Sequence, residues 1–303
     1  MEERIKEVLA SFNVIDVRPF NKGWSDDDKY IVITESGKKH LLRLSEASNA
    51  ERCKRQVHII EQAMKHNIPT QAIVSHGYCL DETKYFILLE WIEAGDAEEE
   101  LLKYNEGEQY ALGLTAGQYL KQIQKFSSAV KPRDDWDTLF NQKINKKLKM
   151  YENCELKYEN DVLMLDRIDE LRKKLSNVRQ VVHHGDYHLG NMLIDDNHEL
   201  YIIDFDRHDI GDPWEEFNRL PFSYDVSPKF ASGLVDGYFD GEVPEKFWEM
   251  LCLYISVNAL SALPWAMMYG DAEITTMKRQ TESIFRQYKN FSRNIPIWYA
   301  GHY

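Results

Sequence analysis

Two polar segments of the chain carry side chains whose types and spacing could support chemistry. The first, VVHHGDYHLGNMLI at residues 181–194, contains Asp186 and, five residues later, Asn191. The second, LYIIDFD at residues 200–206, places Asp204 at the end of an apolar run. Carboxylate and amide oxygens are hard ligands that suit a nucleotide-bound Mg²⁺ ion. The spacing therefore predicts that Asn191 and Asp204 hold such an ion, while Asp186 accepts the proton of an attacking hydroxyl.

Short apolar stretches flank both segments and would position them. Residues 180–182, 192–194 and 200–203 are strand-like, which predicts a strand, a polar loop and a hairpin whose far strand ends in a carboxylate. Such a chain path can converge three oxygen-bearing side chains on one spot. We therefore expect the three candidate residues to form one site.

The pattern H-G-D-x-x-x-x-N, followed about a dozen residues later by I-D-F, resembles the catalytic and metal-binding loops of the aminoglycoside phosphotransferase family. Members of that family share the protein-kinase-like fold. Gly185 and Asp206 replace an arginine and a glycine of the protein-kinase motifs, which indicates the small-molecule branch. By this resemblance Asp186 is the catalytic base, and Asn191 and Asp204 are the metal ligands.

Three neighbouring residues are assigned supporting roles by the same resemblance. His184 is expected to brace the loop. His188 and Asp206 either support the site or touch it, and a structural role is favoured for both.

The resemblance extends to a loop between the first two strands, where the family covers the phosphates of the nucleotide. Gly23 would let the backbone approach an anion, and the Ser25 hydroxyl could donate to phosphate oxygens. One glycine alone is equally typical of an ordinary hairpin turn. The acidic triplet at residues 26–28 would repel a nucleotide unless it points outward.

Arg43, on the third strand, stands where the family commonly has a lysine that pairs with phosphates, and Lys39 is a weaker alternative. Arginine keeps the charge but replaces a point donor with a planar fork. Its acidic partner on the following helix stays open among Gln56, Glu51 and Glu61. Further along, Glu90, Trp91 and Ile92 resemble the linker whose backbone meets the purine.

Hydrophobic periodicity predicts an α+β protein with a small sheet-rich lobe joined to a large helical one. The resemblance implies that these two lobes form a bilobal protein-kinase-like fold. Strands are expected at residues 14–20, 30–34, 40–44, 73–78 and 85–91, with helices at 49–65, 107–129, 138–151, 161–175, 244–268 and 273–288. A small antiparallel-sheet lobe, residues 1–92, would bind the nucleotide. A large, mainly helical lobe, residues 93–303, would carry catalysis and bind the substrate.

The amino-acid composition limits the binding partners and the cellular compartment that we expect. The chain has 37 basic and 50 acidic residues, and the resulting formal charge of −13 opposes binding to nucleic acid and to anionic lipid. Four widely spaced cysteines fit a reducing compartment. No signal peptide or membrane-spanning run is evident, so we expect a cytoplasmic protein.

We therefore predict a kinase that uses Mg²⁺ and moves the γ-phosphoryl group of ATP or GTP to a hydroxyl of a small molecule. By the resemblance, the expected acceptor is an aminoglycoside or a similar cationic alcohol, which would link the protein to antibiotic resistance. Choline-like amines, sugars, macrolides and amino alcohols stay open. Asp271, Glu273, Trp265 and Tyr269 could receive a cationic acceptor, although packing roles explain the aromatics more simply.

Two other functions are considered. A zinc hydrolase could use His184 and His188, which have the spacing of a zinc pair, but the flanking glycines argue against the required helix. A kinase-like module that binds nucleotide without transferring phosphate is the stronger alternative, because Arg43 and Gln56 depart from the family pattern.

Overall fold

The computed structural model describes residues 5, 8–21, 27–128 and 134–299. The strands are β1 (Val14–Pro19), β2 (Asp28–Thr34), β3 (Lys39–Glu46), β4 (Ile73–Cys79), β5 (Lys84–Glu90), β6 (Gly95–Asp96), β7 (Val181–His183), β8 (Met192–Ile194), β9 (Leu200–Ile202) and β10 (Asp209–Gly211). The helices are α1 (Ala50–Lys65), α2 (Ala97–Glu100), α3 (Glu106–Ile123), α4 (Trp136–Glu152), α5 (Asp161–Leu171), α6 (Leu220–Tyr224), α7 (Pro228–Phe239), α8 (Glu245–Ala266) and α9 (Asp271–Gln287). The predicted α+β class is confirmed.

The chain forms two compact units. The first unit comprises Met1–Gly95 together with Leu193–His208, and the second comprises Asp96–Met192 together with Asp209–Tyr303. The segment 193–208 thus belongs with the N-terminal part of the chain. The functional assignment of lobes at residues 1–92 and 93–303 stays a prediction.

A five-stranded antiparallel sheet, in the order β1-β2-β3-β5-β4, forms the body of the first unit. Its central strand β3 pairs Leu42 with Tyr30 of β2 on one side and with Leu88 of β5 on the other. Because alternate residues of a strand share a face, these side chains bury together. Ile5 and Leu9, from the N-terminal segment, complete this core.

The hairpin of β8 and β9 carries Asp204 into the first unit. Asp195 shapes its turn, since its Oδ1 accepts the N–H groups of Asn197 and Glu199, both at 2.9 Å. The N–H of Ile202 donates to the carbonyl of Pro69 at 2.9 Å. The predicted hairpin with a carboxylate beyond its far strand is therefore present.

Glycines bring α3 and α7 of the second unit into close contact. Gly113 and Gly117 of α3 face Gly233 and Gly237 of α7, and each pair has a four-residue spacing. A Cβ atom at any of the four positions would lie 2.2 Å from a backbone oxygen of the opposite helix. The helices can therefore pack at this distance only without side chains there.

Helix α8 forms much of the core of the second unit. Among the described helices it alone is long and apolar enough to pass a length-and-composition test for a membrane span. In this structure, 72% of its most apolar window is buried inside the protein, as is usual for a core helix.

We predict that Gly113→Ala destabilises the protein despite the higher helix propensity of alanine. Alanine gains about 1 kcal/mol of propensity, but overpacking in a tight core costs about 1–3 kcal/mol or more. A net loss of about 2 kcal/mol is expected in urea unfolding. Gln118→Ala, at an exposed position of α3, should stay within about 0.5 kcal/mol of wild type. A stabilised Gly113→Ala variant would contradict the close approach.

Candidate active site

Arg43 lies at the centre of a charged cluster in the first unit. Its Nε and Nη2 donate to Asp27 Oδ2 at 3.1 and 2.8 Å, its Nη1 to Asp204 Oδ1 at 3.1 Å, and its Nη2 to Asp206 Oδ2 at 3.2 Å. The side chain is only 5% exposed. Burial lowers the pKa of Arg43, but the carboxylates outweigh burial and raise the pKa above its ordinary value. Arg43 therefore stays charged in the interior.

Asp27 is the main acidic partner of Arg43. Strands β2 and β3 pair Lys29 with Arg43, so the residue just before β2 lies beside the guanidinium. Asp27 Oδ1 also accepts from the Ser45 hydroxyl at 2.5 Å and from Arg52 Nη2 at 2.8 Å. Burial raises the pKa of Asp27, but Arg43, the Ser45 hydroxyl and Arg52 together lower it below its ordinary value. Asp27 points inward, so the outward orientation considered for the acidic triplet does not apply to it.

Helix α1 contributes an arginine to the cluster rather than an acid. Arg52 Nη1 donates to Asp206 Oδ2 at 3.4 Å. Hydrogen bonds of Arg43 to described residues reach none of the three partners considered on this helix, Gln56, Glu51 and Glu61. Lys39, the alternative phosphate-binding residue, pairs instead with Glu93 at 2.8 Å.

Asp204 sits in an unusual backbone conformation just after β9. Its φ of 64° lies in the left-handed region, which few non-glycine residues adopt. Its side chain is 37% exposed, whereas that of Asp206 is 11% exposed. Burial, and next the charge of Asp204, raise the pKa of Asp206, and Arg43 opposes this shift. Asp204 is therefore the more accessible of the two carboxylates.

The predicted nucleotide-contacting segment follows β5. The N–H groups of Glu90 and Trp91 donate to carbonyls of adjacent chain segments at 2.9 and 3.3 Å. In contrast, the N–H of Ile92 and the carbonyl of Trp91 form no hydrogen bonds with the part of the chain that the structure describes. Gly23 and Ser25, predicted to cover the phosphates, lie outside the described residues.

In the second unit, one buried carboxylate holds the loop that carries Asp186. Glu216 is 2% exposed, and its two oxygens accept the N–H of His184 at 2.6 Å and the N–H of Gly185 at 2.9 Å. Gly185 has a φ of 89°, a conformation that favours glycine. His184 is fully buried and accepts the N–H of Asp186 through Nδ1 at 3.3 Å. His184 therefore contacts the loop through its ring and is itself held by Glu216 through its N–H group.

Asn191 closes the same loop from the other end. Its Nδ2 donates to the carbonyl of Asp186 at 2.9 Å, and its Oδ1 accepts no hydrogen bond from a described residue. His188 Nδ1 accepts the N–H of Gly190 at 3.1 Å, so the neutral ring carries its proton on Nε2. That Nε2 lies 3.6 Å from Asp186 Oδ1. The same Nε2 lies 3.5 Å from Asn191 Nδ2, so His188 contacts both candidate residues.

Asp186 is paired with an arginine. Arg219 Nε lies 3.0 Å from Asp186 Oδ1, and the two side chains are 24% and 17% exposed. Arg219 is the last residue of the 3-10 helix Glu215–Arg219, which also supplies Glu216. One short segment therefore positions both the loop and its charged neighbour.

Seven of the predicted residues fall into two clusters, one within each unit. The first unit brings together Arg43, Asp204 and Asp206, and the second brings together Asp186, Asn191, His184 and His188. Four contacting residues were not predicted, namely Asp27, Arg52, Glu216 and Arg219. The Gly-Asp-Pro turn at 211–213, which precedes two of them, was the available signal. Among described residues, no three His, Cys, Asp or Glu side chains group as metal ligands.

Comparison by sequence identifies one family. A model of the phosphotransferase enzyme family matches residues 16–248 of the chain. No curated protein matches the chain significantly. The family match includes every residue of both clusters.

Solved structures match the fold over nearly the whole chain. The GDP complex of wild-type aminoglycoside 2'-phosphotransferase-IIIa has a TM-score of 0.71 at 15% identity, covering 93% of this chain and 96% of that chain. Amicoumacin kinase, in complex with AMP-PNP, Ca²⁺ and Ami, has a TM-score of 0.67 at 15% identity, covering 98% of both chains. A choline/ethanolamine kinase family protein from Mesorhizobium loti has a TM-score of 0.66 at 16% identity, covering 99% of both. These similarities confirm the predicted protein-kinase-like fold class.

We predict that Asp27→Asn destabilises the protein by about 3 kcal/mol, because removing one partner of a buried ion pair leaves charge uncompensated. Urea unfolding at neutral pH measures the loss. Because the pKa of Asp27 is lowered below 3.8, the stabilisation is fully present above about pH 4. It is lost as the pH falls through the lowered pKa, so the difference between wild type and variant should shrink there.

Asp16→Asn is the matched control for this prediction. Asp16 pairs with Arg18 on the same sheet, but these side chains are 36% and 68% exposed. Exposed pairs contribute about 0–1 kcal/mol. Equal effects of the two substitutions would show that the Arg43 cluster is not a buried ion-pair network.

Proposed function

The chain belongs to the phosphotransferase enzyme family, and from this premise we propose that it is a small-molecule kinase that moves the γ-phosphoryl group of ATP or GTP to a hydroxyl. Neighbours in fold bind GDP, or AMP-PNP with amicoumacin, which supports a nucleotide and a small acceptor as ligands. An aminoglycoside or similar cationic alcohol is the acceptor class that the resemblance implies. The choline/ethanolamine kinase neighbour supports keeping other alcohols in the screen.

The observation that carries this proposal is the rigid hold on the Asp186 loop. Glu216 fixes the two preceding N–H groups, and the Asn191 amide fixes the Asp186 carbonyl. Positioning is the main contribution that a protein makes to phosphoryl transfer. We assign Asp186 as the residue that orients the acceptor hydroxyl and receives its proton.

The donor set fits a magnesium ion. Asn191 Oδ1 and one carboxylate oxygen of Asp204 accept no hydrogen bond from a described residue, and both are hard oxygen donors. We propose that these two residues hold Mg²⁺. When bound with nucleotide, the ion supplies neutralisation of the phosphate charge.

The remaining predicted residues are assigned to the nucleotide. Arg43 would bind phosphates together with Gly23 and Ser25. The N–H of Ile92 and the carbonyl of Trp91 offer one donor and one acceptor, which suits the edge of a purine. The purine edges of ATP and GTP each present complementary groups, so we propose either nucleotide as the phosphoryl donor.

One observation favours a second candidate function. Arg43 Nη1 donates a hydrogen bond to Asp204 Oδ1 at 3.1 Å, so this oxygen already has a partner. If this contact persisted with nucleotide bound, the chain would be a kinase-like module that binds nucleotide without transferring phosphate. Mg-ATP would then raise the melting temperature while no acceptor is phosphorylated.

We place the reaction in the cytoplasm, without a nucleic-acid or membrane partner. The four cysteines, Cys53, Cys79, Cys154 and Cys252, are all free, as is usual in a reducing compartment. The net charge of −13 opposes binding to a phosphate backbone.

We predict that Asp186→Ala abolishes turnover while Mg-nucleotide binding is retained, because Asp186 acts on the acceptor and not on the nucleotide. Nucleotide consumption against a panel of hydroxylated metabolites and antibiotics measures turnover, and nucleotide-dependent melting measures binding. Asp169→Ala, at a 71% exposed position, is the control and should match wild type. Full activity of Asp186→Ala would remove this residue from the mechanism.

A further inference from the structure

A guanidinium lies beside Asp186 within the second unit. Arg219 Nε lies 3.0 Å from Asp186 Oδ1. Arg219 and Glu216 belong to one 3-10 helix, and Glu216 holds the loop that carries Asp186. The same short helix therefore positions both the Arg219 guanidinium and the Asp186 carboxylate. The charge beside Asp186 is therefore a built feature of the fold.

Arg219 has more hydrogen-bond donors than one carboxylate oxygen can accept. A guanidinium has five N–H groups, and the shortest contact between Arg219 and Asp186 joins Nε to Oδ1. Its Cζ lies 6.0 Å from the ring centroid of Phe222, which also packs against His188 at 5.1 Å. The aromatic ring supports the planar group on one side. Two terminal amino groups in this geometry match a pair of carboxylate or phosphate oxygens.

Helix α4 adds further cations near Arg219. Lys143 forms an ion pair with Glu215, whereas Lys147 forms none with a described residue. Burial lowers the pKa of Lys147 to about 7, with contributions from the charges of Lys143 and Arg219, and Glu215 opposes the shift. A bound anion beside these cations would favour the charged form of Lys147.

From this arrangement we propose that the acceptor carries a carboxylate or a phosphate beside the hydroxyl that is phosphorylated, and that Arg219 binds this anionic group. The inference rests on the proposed kinase function and narrows its acceptor class. The transfer itself is unchanged. The hydroxyl oxygen bonds to the γ-phosphorus, the bond to the β–γ bridging oxygen breaks, and the hydroxyl proton passes to Asp186.

This proposal departs from the cationic acceptor implied by the net charge and by the resemblance. The net charge of −13 acts over long distances, and salt screens such interactions beyond about 8–10 Å. A guanidinium in contact with the catalytic carboxylate acts directly on whatever binds there. An ammonium group next to the reacting hydroxyl would be repelled by Arg219, so the local charge determines the preference.

Two other roles for Arg219 predict different kinetics. An arginine that only orients Asp186, or that contacts the transferred phosphoryl group, would change kcat for every acceptor alike. An arginine that binds an anionic group of the acceptor would change KM for anionic acceptors alone. The split between kcat and KM therefore separates these roles.

The test compares acceptors that share a carbon skeleton and differ in charge. One set is glycerol, glycerate, glycerol 3-phosphate and serinol, and the other is glucose, glucuronate, glucose 6-phosphate and glucosamine. Nucleotide consumption gives kcat and KM for wild type, Arg219→Gln and Arg219→Lys. In wild type, kcat/KM for a carboxylate or phosphate member should exceed that of the neutral and amino members by at least about tenfold. Comparison of the carboxylate member with the phosphate member of each set identifies which anionic group is bound.

Arg219→Gln should lose about 10- to 100-fold in kcat/KM for the anionic member, mainly through KM, because it removes a charge-assisted hydrogen bond. Because loss of the contact with Asp186 affects every acceptor alike, the readout is the ratio of kcat/KM for the anionic member to kcat/KM for the neutral member, and this ratio should fall by about tenfold or more. For the anionic member, kcat/KM of Arg219→Lys should lie between the values of wild type and Arg219→Gln, since lysine keeps the charge but lacks the planar guanidinium. Lys173→Gln, at a position 71% exposed, is the matched control, and melting temperatures check folding.

A wild-type preference for the amino member overturns the proposal, and so does an equal loss for all members in Arg219→Gln. If no acceptor turns over, calorimetric titration of inorganic phosphate and malonate in the presence of Mg-AMP-PNP decides. Binding at least about fivefold weaker in Arg219→Gln supports the proposal, and equal or absent binding overturns it. Nucleotide binding without turnover of any acceptor would instead count against the kinase function, so the two failures are distinguishable.

Discussion

The buried carboxylate of Glu216 holds the loop on which the proposed chemistry depends. A carboxylate in the interior is unfavourable unless donors surround it, and here two adjacent N–H groups supply them. The acid and the loop therefore stabilise each other. The left-handed turn at Gly185 allows both N–H groups to reach one side chain. The backbone, more than the rotamer of Asp186, thus sets where that carboxylate lies.

In both units, the acids assigned to ligand binding are already paired with arginine. Asp204 contacts Arg43, and Asp186 contacts Arg219. A ligand would therefore exchange one set of polar contacts for another instead of meeting bare charges. This pairing limits the destabilisation that unpaired carboxylates would cause in the free protein. It also makes the arginines, as much as the acids, responsible for which ligands are accepted.

Local signals made much of the fold and more than half of each cluster predictable. Strand alternation marks the sheet of the first unit, and Asp186 and Asn191 lie on one short loop. Their partners are distant in sequence: Asp27 is 16 residues from Arg43, and Glu216 is 31 residues from Gly185. The Gly-Asp-Pro turn at 211–213 marks the segment that carries Glu216, but periodicity does not identify which residues it contacts, since only tertiary packing brings them together. The glycine pairs of α3 and α7 are likewise meaningful only once the two helices are known to pack.

The discontinuity of the first unit has a consequence for biosynthesis. Arg43 precedes Asp204 by 161 residues. At translation rates of about 5–20 residues per second, a nascent chain lacks the second carboxylate for roughly 10–30 s. Throughout this interval the emerging sheet has only Asp27, together with water, to compensate its interior guanidinium. Completion of the N-terminal unit on the ribosome must therefore wait until most of the polypeptide has been synthesised.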